Sequence, residues 1–168
     1  MIIISDTSPV SNLLQIGQLS ILQKLYGTVM IPQRVYQEVC ALENLGVDIT
    51  LIRSADWIQI ETVSDEALVA TLSIELDPGE AEAITLAIAV QADRLLIDER
   101  IGRGVAQRYG LRITGLLGVL VAAKKEKLIP ELKPVLDQLI TQAKFRVHSS
   151  LYEQILQDVD ELHPNTKA

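Results

Sequence analysis

The sequence predicts an α/β protein built around a parallel β-sheet, and two observations support this prediction. Short, uninterrupted runs of Ile, Leu and Val are typical of strands that are buried on both faces of a parallel sheet. Longer segments with helical periodicity separate these runs, and such alternation of strands and helices indicates an α/β sandwich. With 168 residues, 48% of them hydrophobic and 22% charged, the chain is expected to form a globular domain with a core of its own.

The strands are expected where apolar runs stand between helix and turn signals. These runs predict strands at residues 2–4, 29–31, 58–60, 95–97 and 112–114. We expect one domain over residues 1–168, in which residues 145–168 form a helical tail.

Helices are expected between the strands, and several have clear start or stop residues. Gly17 separates two short helices, Pro32 occupies a first-turn position, Asp77 and Pro78 precede a long helix, and Gly110 ends another. Residues 43–55 carry no clear pattern. The segments predicted as helices are residues 8–16, 18–25, 32–42, 65–76, 79–91, 102–109, 116–126, 131–143 and 151–162.

Composition excludes several classes of protein. A single cysteine, Cys40, rules out an internal disulfide framework and cysteine-rich zinc sites, and it fits a reducing compartment. The apolar stretch at residues 81–90 is interrupted by Glu82 and Thr85 and is too short to span a bilayer. We therefore expect a soluble, cytoplasmic protein. A net charge of −7 argues against a broad nucleic-acid-binding surface, although it allows a local basic patch or a cation site.

Acidic residues follow two of the predicted strands. Asp6 comes soon after the first strand, and Asp98 and Glu99 follow the strand at residues 95–97. Ligand sites of parallel sheets lie beyond the carboxyl ends of the strands, so these acids are expected at one edge of the sheet. Because neighbouring side chains of a strand point to opposite faces, only one of Asp98 and Glu99 is expected to reach a shared site. The alternative for the first position is that Asp6 or Ser8 simply caps the following helix.

Two further acids lie on helix faces that are expected to be buried. Glu38 falls within the apolar stripe of the helix at residues 32–42, and Glu80 heads the apolar face of the helix at residues 79–91. A buried carboxylate is costly unless it is paired or binds a cation. The alternatives are an edge position for Glu38 and an ordinary first-turn charge for Glu80. By spacing alone, Glu82 competes with Glu80.

The combination of these acids favours a hard, oxygen-ligated cation such as Mg²⁺ or Mn²⁺. The two histidines, His148 and His163, have no metal-ligand spacing and are expected at the surface, and Glu43 is expected outside the site. The sequence contains no G-x-S-x-G elbow, P-loop or G-x-G-x-x-G motif. A phosphotransfer receiver domain is disfavoured, since only one acid follows the first strand and no lysine follows residues 111–115.

The chain resembles a known family in five stretches, which read "IISDTSPVSNLLQIGQLSILQKLYG", "IPQRVYQEV", "LDPGEAEAITLA", "LLIDERIGRGVAQRYGLRITGLLGVLVAAKKEKLI" and "FRVHSSLYEQIL". In this order they resemble the PIN-domain proteins, and most of all the PIN-like subgroup known as the DUF3368 family. Residues 43–76 are the least similar part. The resemblance implies a single PIN-like domain with a three-layer α/β/α fold around a parallel sheet. It also implies a Mg²⁺- or Mn²⁺-dependent ribonuclease site.

The resemblance further implies which acids form that site. Asp6, Glu38, Glu80 and Asp98 match the acidic positions of PIN domains, and Asp6, Glu80 and Asp98 would hold the metal directly or through waters. Glu38 would complete the cluster and orient the attacking water. Glu99 competes with Asp98, because this sequence lacks the threonine that many PIN domains carry before the last acid.

Supporting roles are expected for residues beside the acids. Thr7 or Ser8 would hydrogen-bond a carboxylate or a phosphate oxygen. Arg100 and Arg103 would contact RNA phosphate, and the alternative for both is a solvated helix face. A non-catalytic PIN-like protein that binds RNA or a partner protein without cleaving it stays open as a second function.

Partners are predicted from two sources. Many related proteins are toxins of toxin–antitoxin pairs, so the resemblance implies an RNA substrate and a small antitoxin protein. A homodimer is expected because a single layer over the sheet would leave apolar side chains near the start of the chain uncovered. These side chains are Leu13, Leu14, Ile16, Leu19, Ile21, Leu22 and Leu25.

Overall fold

The computed structural model describes residues 1–162, which fold around a five-stranded sheet. The strands are β1 (Ile3–Ser5), β2 (Val29–Pro32), β3 (Ile58–Glu61), β4 (Arg94–Leu96) and β5 (Ile113–Thr114). Their order in the sheet is β3-β2-β1-β4-β5, and every pairing is parallel. The parallel sheet predicted from the apolar runs is confirmed, and β1 is its central strand.

Ten α-helices are found within residues 1–162, and they cover both faces of the sheet. A 3-10 helix at Ala41–Leu45 also occurs, in the stretch that carries no clear sequence pattern. The α-helices are α1 (Thr7–Gln15), α2 (Ser20–Tyr26), α3 (Gln33–Cys40), α4 (Thr50–Ser54), α5 (Glu66–Leu72), α6 (Pro78–Ala89), α7 (Arg100–Arg108), α8 (Leu116–Lys125), α9 (Leu132–Thr141) and α10 (Ser149–Asp158).

Two hydrophobic cores lie on opposite sides of the sheet. Ile3 of β1 packs in one core with residues of α1, α2, α3, α8, α9 and α10. The next residue, Ile4, packs in the other core with residues of α5, α6 and α7. Successive side chains of a strand point to opposite faces, so this division follows from the strand geometry. The fold is therefore the expected three-layer α/β/α sandwich.

Six of the seven apolar side chains that suggested a homodimer are buried inside the chain, and the seventh, Leu25, is half-buried. Leu13 and Leu22 are fully buried, and Leu14, Ile16, Leu19 and Ile21 are at most 8% exposed. The prediction that these side chains would stay uncovered was wrong, because α8 packs on α2 and forms a second layer there. A homodimer stays a prediction that rests on the resemblance alone.

The end of the described chain is tied to the fold by one carboxylate. Glu161 accepts hydrogen bonds from the N–H groups of Leu132 (2.6 Å) and Lys133 (2.7 Å) at the start of α9, and it pairs with Lys124 at 2.9 Å. Residues 163–168, including His163, lie outside the described residues.

Within residues 1–162 no helix is long and apolar enough to cross a membrane.

Candidate active site

Asp6 stands at the carboxyl end of the central strand and is almost fully buried. Its N–H donates a hydrogen bond to the Leu96 carbonyl (2.9 Å), which fixes the position of Asp6 beside β4. The residue precedes α1, yet its side chain makes no capping hydrogen bond to that helix. Oδ1 of Asp6 is buried without a hydrogen-bond partner among residues 1–162. Helix capping therefore does not explain this carboxylate.

Glu80 has one oxygen in a structural role and one without a partner. The Asp77 N–H donates to Glu80 Oε2 at 3.2 Å, and the Glu80 N–H donates to Asp77 Oδ1 at 2.8 Å. This reciprocal pair is a capping box at the start of α6. Oε1 of Glu80 is buried, and no partner for it lies in the described part of the chain. The predicted alternative of an ordinary first-turn charge therefore accounts for only half of the carboxylate, because the capping box uses Oε2 alone.

Glu38 extends from α3 toward the start of α1. The Thr7 hydroxyl donates a hydrogen bond to Glu38 Oε2. Oε1 of Glu38 lies 3.7 Å from Arg34 Nε, one turn back on the same helix, and the Glu38 side chain is 31% exposed. Glu38 is thus held at the border between the buried acids and solvent.

Asp98 follows β4 and also has one free oxygen. The Leu116 N–H at the start of α8 donates to Asp98 Oδ1 at 2.7 Å. Oδ2 of Asp98 is buried, with no hydrogen-bond partner between residues 1 and 162. Glu99, the competing acid, is exposed to solvent. The structure therefore turns Asp98 inward and Glu99 outward.

Three glycines allow the backbone to lie close against these acids. A Cβ atom added to Gly102 would lie 2.6 Å from Glu80 Oε1, and one added to Gly115 would lie 3.0 Å from Asp98 Oδ1. A Cβ on Gly79 would lie 3.0 Å from the Thr7 hydroxyl oxygen and would also collide with Glu38. A larger residue at Gly79 or Gly102 would displace an acid or the Thr7 hydroxyl, and one at Gly115 would first meet Arg103 Nη1, at 2.6 Å.

Burial raises the pKa values of the inward-facing acids. Desolvation raises the pKa of Asp6 to about 8, although the nearby Thr7 N–H opposes the rise, and the charge of Glu80 adds to it. Desolvation and the charge of Asp77 raise the pKa of Glu80 to about 7. Desolvation also raises the pKa of Asp98, against the Leu116 N–H and the charge of Arg103. Without a cation, these carboxylates are costly to ionise.

The acids influence one another through their charges. Glu80, Asp77 and Glu38 raise the pKa of Asp6, and Glu99 raises the pKa values of both Glu80 and Asp98. As placed, no three or more histidine, cysteine, aspartate or glutamate side chains in residues 1–162 are arranged to hold one metal ion. The donor set nevertheless suits a hard cation, because three buried carboxylate oxygens have no partner within the described chain. Mg²⁺ commonly binds through one or two carboxylates and keeps several waters, which such a site allows.

One protein family matches almost the whole chain. The family model DUF3368, which describes a PIN domain, matches residues 2–161. The chain belongs to this PIN-domain family. No curated protein matches the chain significantly. The PIN domain is a nuclease-type fold, and membership indicates nuclease activity in general together with RNA binding.

Three residues that were predicted to support the acids of this PIN domain line two separate cavities, and Glu99 borders both cavities. Ser8 and Arg103 line a cavity of about 890 Å³ together with Asp98. Arg100 is exposed and lines a separate depression with Arg108. The two arginines were predicted together, but the structure brings only Arg103 to the side of Asp98.

Two other acids of the PIN domain, Glu43 and Glu82, lie outside the group of buried acids. Glu43 is exposed and pairs with Arg53 at 3.0 Å, as expected for an acid outside the site. Glu82 is half-exposed, whereas Glu80 is 5% exposed, so the structure separates two acids that spacing left equivalent.

Asp77 was predicted only as a residue that precedes a helix, although its charge acts on both Asp6 and Glu80. The Asp-x-x-Glu pattern of a capping box was the signal for it.

Proposed function

We propose that this protein is a divalent-metal-dependent endoribonuclease of the PIN type. One observation carries the proposal: Asp6, Glu80 and Asp98 each keep one buried carboxylate oxygen that has no partner in residues 1–162. Buried polar atoms are normally hydrogen-bonded, and a group left unpartnered calls for an explanation such as an ion. Three of them beside the carboxyl end of a central parallel strand support a Mg²⁺ or Mn²⁺ site.

In this proposal the chain supplies ligands and positions the reactants. Asp6, Glu80 and Asp98 would hold the ion directly or through waters. A bound Mg²⁺ or Mn²⁺ would offset charge on the phosphate and make a water nucleophilic. Glu38, which accepts a hydrogen bond from the Thr7 hydroxyl and is partly open to solvent, would orient that water and accept its proton. Arg103 would contact an RNA phosphate oxygen.

The finer biological role rests on the family resemblance. We propose that the protein acts as the toxin of a toxin–antitoxin pair in the cytoplasm, with a small antitoxin protein as partner. We further propose that it acts as one PIN-like domain over residues 1–168 and forms a homodimer.

A second function is favoured by one feature. No arrangement of three or more ligands that could hold a metal stands ready in residues 1–162, which suits a non-catalytic PIN-like protein that binds RNA or a protein partner without cleaving it. Incubation of single-stranded RNA with purified protein separates the two functions. We expect cleavage with Mn²⁺ and none with EDTA. Retention of intact RNA in both conditions would favour the binding protein, and equal cleavage in both would contradict metal dependence.

A further inference from the structure

The cavity beside Asp98 extends the acidic site in one direction. Its volume is about 890 Å³, within the usual range of ligand-binding clefts. It lies between α1, α7 and α8 on one side and the chain from Ala143 to Ile155 on the other. Asp98 and Glu99 stand at its acidic end, so a ligand in the cavity would touch the proposed reaction site.

The inner wall of the cavity carries polar groups from α1. Ser8 and Asn12 are one helical turn apart, so their side chains share a face of this helix. Asn12 is only 9% exposed, although asparagine is rarely buried to this extent. Its amide can both donate and accept hydrogen bonds. Such a group can recognise the edge of a base or a ribose hydroxyl.

The outer wall carries one aromatic residue between two cations. Lys144, Phe145 and Arg146 all line the cavity, and Phe145 is the only phenylalanine of the chain. Lys144 has a φ of 57° and follows the end of α9, as Gln91, Lys127 and Asp160 with similar φ values follow other helices, so this conformation is an ordinary helix ending. The Phe145 N–H donates to the Leu139 carbonyl at 3.0 Å, so the loop is anchored on the end of α9. Phe145 is half-buried, whereas Lys144 and Arg146 are exposed.

The charge of this wall differs from that of the whole chain. The chain carries a net charge of −7, yet Arg103, Lys144 and Arg146 together line this one cavity. Arginine and lysine recognise phosphate, and an aromatic side chain stacks on an unpaired base. A base inside a duplex is not available for such stacking. The chemistry of the wall therefore fits a single-stranded nucleotide.

We propose that this cavity, the nucleotide groove, binds an unpaired RNA nucleotide next to the phosphate that reacts. The base stacks on Phe145, the Asn12 amide hydrogen-bonds the base or ribose, and Lys144 and Arg146 contact the backbone phosphates. This inference rests on the proposed ribonuclease function, because it places the scissile phosphate at the acidic end of the groove.

Binding of an RNA that cannot be cleaved tests the groove apart from the chemistry. The probe is a short, fluorescent, single-stranded RNA oligonucleotide in EDTA, which withholds the metal that cleavage requires, and the readout is anisotropy over a range of salt concentrations. We expect Phe145→Leu, which keeps an apolar side chain, to weaken binding about tenfold. Arg146→Gln should lower the slope of log K against log salt by about 0.7, because one phosphate contact is lost. Arg53→Gln, on the remote pair with Glu43, should bind like wild type.

Several results would refute the proposal that the nucleotide groove binds RNA, and they would leave the proposed ribonuclease function to its own test. Unchanged binding by Phe145→Leu and Arg146→Gln, no binding by the wild type, or equal affinity for a duplex would each refute the inference. A dimer that Phe145→Leu dissociates would assign the groove to a second copy of the chain and also refute it. RNA cleavage in Mn²⁺ is measured separately, so a ribonuclease without this groove is distinguishable from a protein that is no ribonuclease.

Discussion

The Thr7 hydroxyl donates a hydrogen bond to Oε2 of Glu38, and this bond joins the first turn of α1 to α3. The other Glu38 oxygen faces Arg34 at 3.7 Å, so both oxygens have a neighbour that fixes their direction. A carboxylate that orients water must be held in place, because small displacements of a catalytic group are costly in rate. We therefore expect Thr7 to act as a positioning residue for Glu38.

Removal of this hydroxyl should affect activity more than folding. We expect Thr7→Val to lower kcat about tenfold, while the free energy of unfolding falls by about 1 kcal/mol because one partly buried hydrogen bond is lost. Thr7→Ser keeps a hydroxyl and should retain most activity. Cleavage kinetics and urea unfolding provide the two measurements. Equal kcat values for Thr7→Val and wild type would show that Glu38 does not need this bond.

Two glycines of α7 offer a matched pair for the packing around Glu80. A Cβ on Gly102 would meet Glu80 Oε1 at 2.6 Å and Ile97 Cδ1 at 2.8 Å, whereas a Cβ on Gly104 would meet no atom within 4 Å in the described chain. We expect Gly104→Ala to keep activity and to raise stability by about 0.5–1 kcal/mol, since alanine is the better helix former. Gly102→Ala should lose most cleavage and some stability. Full activity of Gly102→Ala would show that Glu80 can move without consequence.

The stability of the metal-free protein should fall as pH rises. Burial raises the pKa of Asp6 from 3.8 to about 8 and that of Glu80 from 4.5 to about 7. The folded state therefore binds these protons more tightly than the unfolded state. The resulting stabilisation is full below about pH 4 and is lost as pH rises through about 7 to 8.

Urea unfolding in EDTA between about pH 5 and pH 8 measures this dependence. The decline in stability should be smaller in Asp6→Asn, which has no such proton to release. Mn²⁺ should raise Tm more at the alkaline end, because a metal binds the deprotonated carboxylates. Stability that rises across this pH range in EDTA would contradict the raised pKa values.

Asp98 and Glu99 should differ sharply in their contribution to catalysis. Asp98 is held by the Leu116 N–H and keeps its second oxygen buried, whereas Glu99 is exposed. We expect Asp98→Asn to lose cleavage and Glu99→Gln to retain most of it, as measured on one RNA substrate at saturating Mn²⁺. The reverse order of effects would assign the last acid to Glu99.

Much of the fold could be predicted because its signals are local. Short apolar runs mark β1, β2 and β4, whereas the edge strands β3 and β5 are marked by isolated isoleucines, and all five strands lie within one residue of their predicted positions. The α5 helix ends at Leu72 rather than at Leu76, because residues 73–76 turn toward the capping box of α6. The short α4 helix had no pattern, since it depends on tertiary burial of Ile52 and on the Asp48 side chain that bonds Thr50.

The candidate site was predictable only in part. The ends of adjacent parallel strands must meet, so Asp6 and Asp98 could be placed at one edge from the sequence. Spacing could not separate Glu80 from Glu82, or Asp98 from Glu99, because the choice depends on which side chain the neighbouring helix covers. The nucleotide groove joins residues as distant as Ser8 and Ile155, and no local pattern encodes such a contact.

The central claim is that Asp6 ends β1 as part of a metal site, and Asp6→Asn tests it most directly. Asparagine is as good a helix cap as aspartate, so the fold should persist. Loss of one charge from a group of buried acids should leave the stability in EDTA unchanged or higher. Mn²⁺-dependent RNA cleavage by Asp6→Asn is the decisive measurement, with Glu43→Gln as the control acid outside the site. We expect cleavage to be lost in Asp6→Asn and kept in Glu43→Gln, and full cleavage by a folded Asp6→Asn protein would contradict the account.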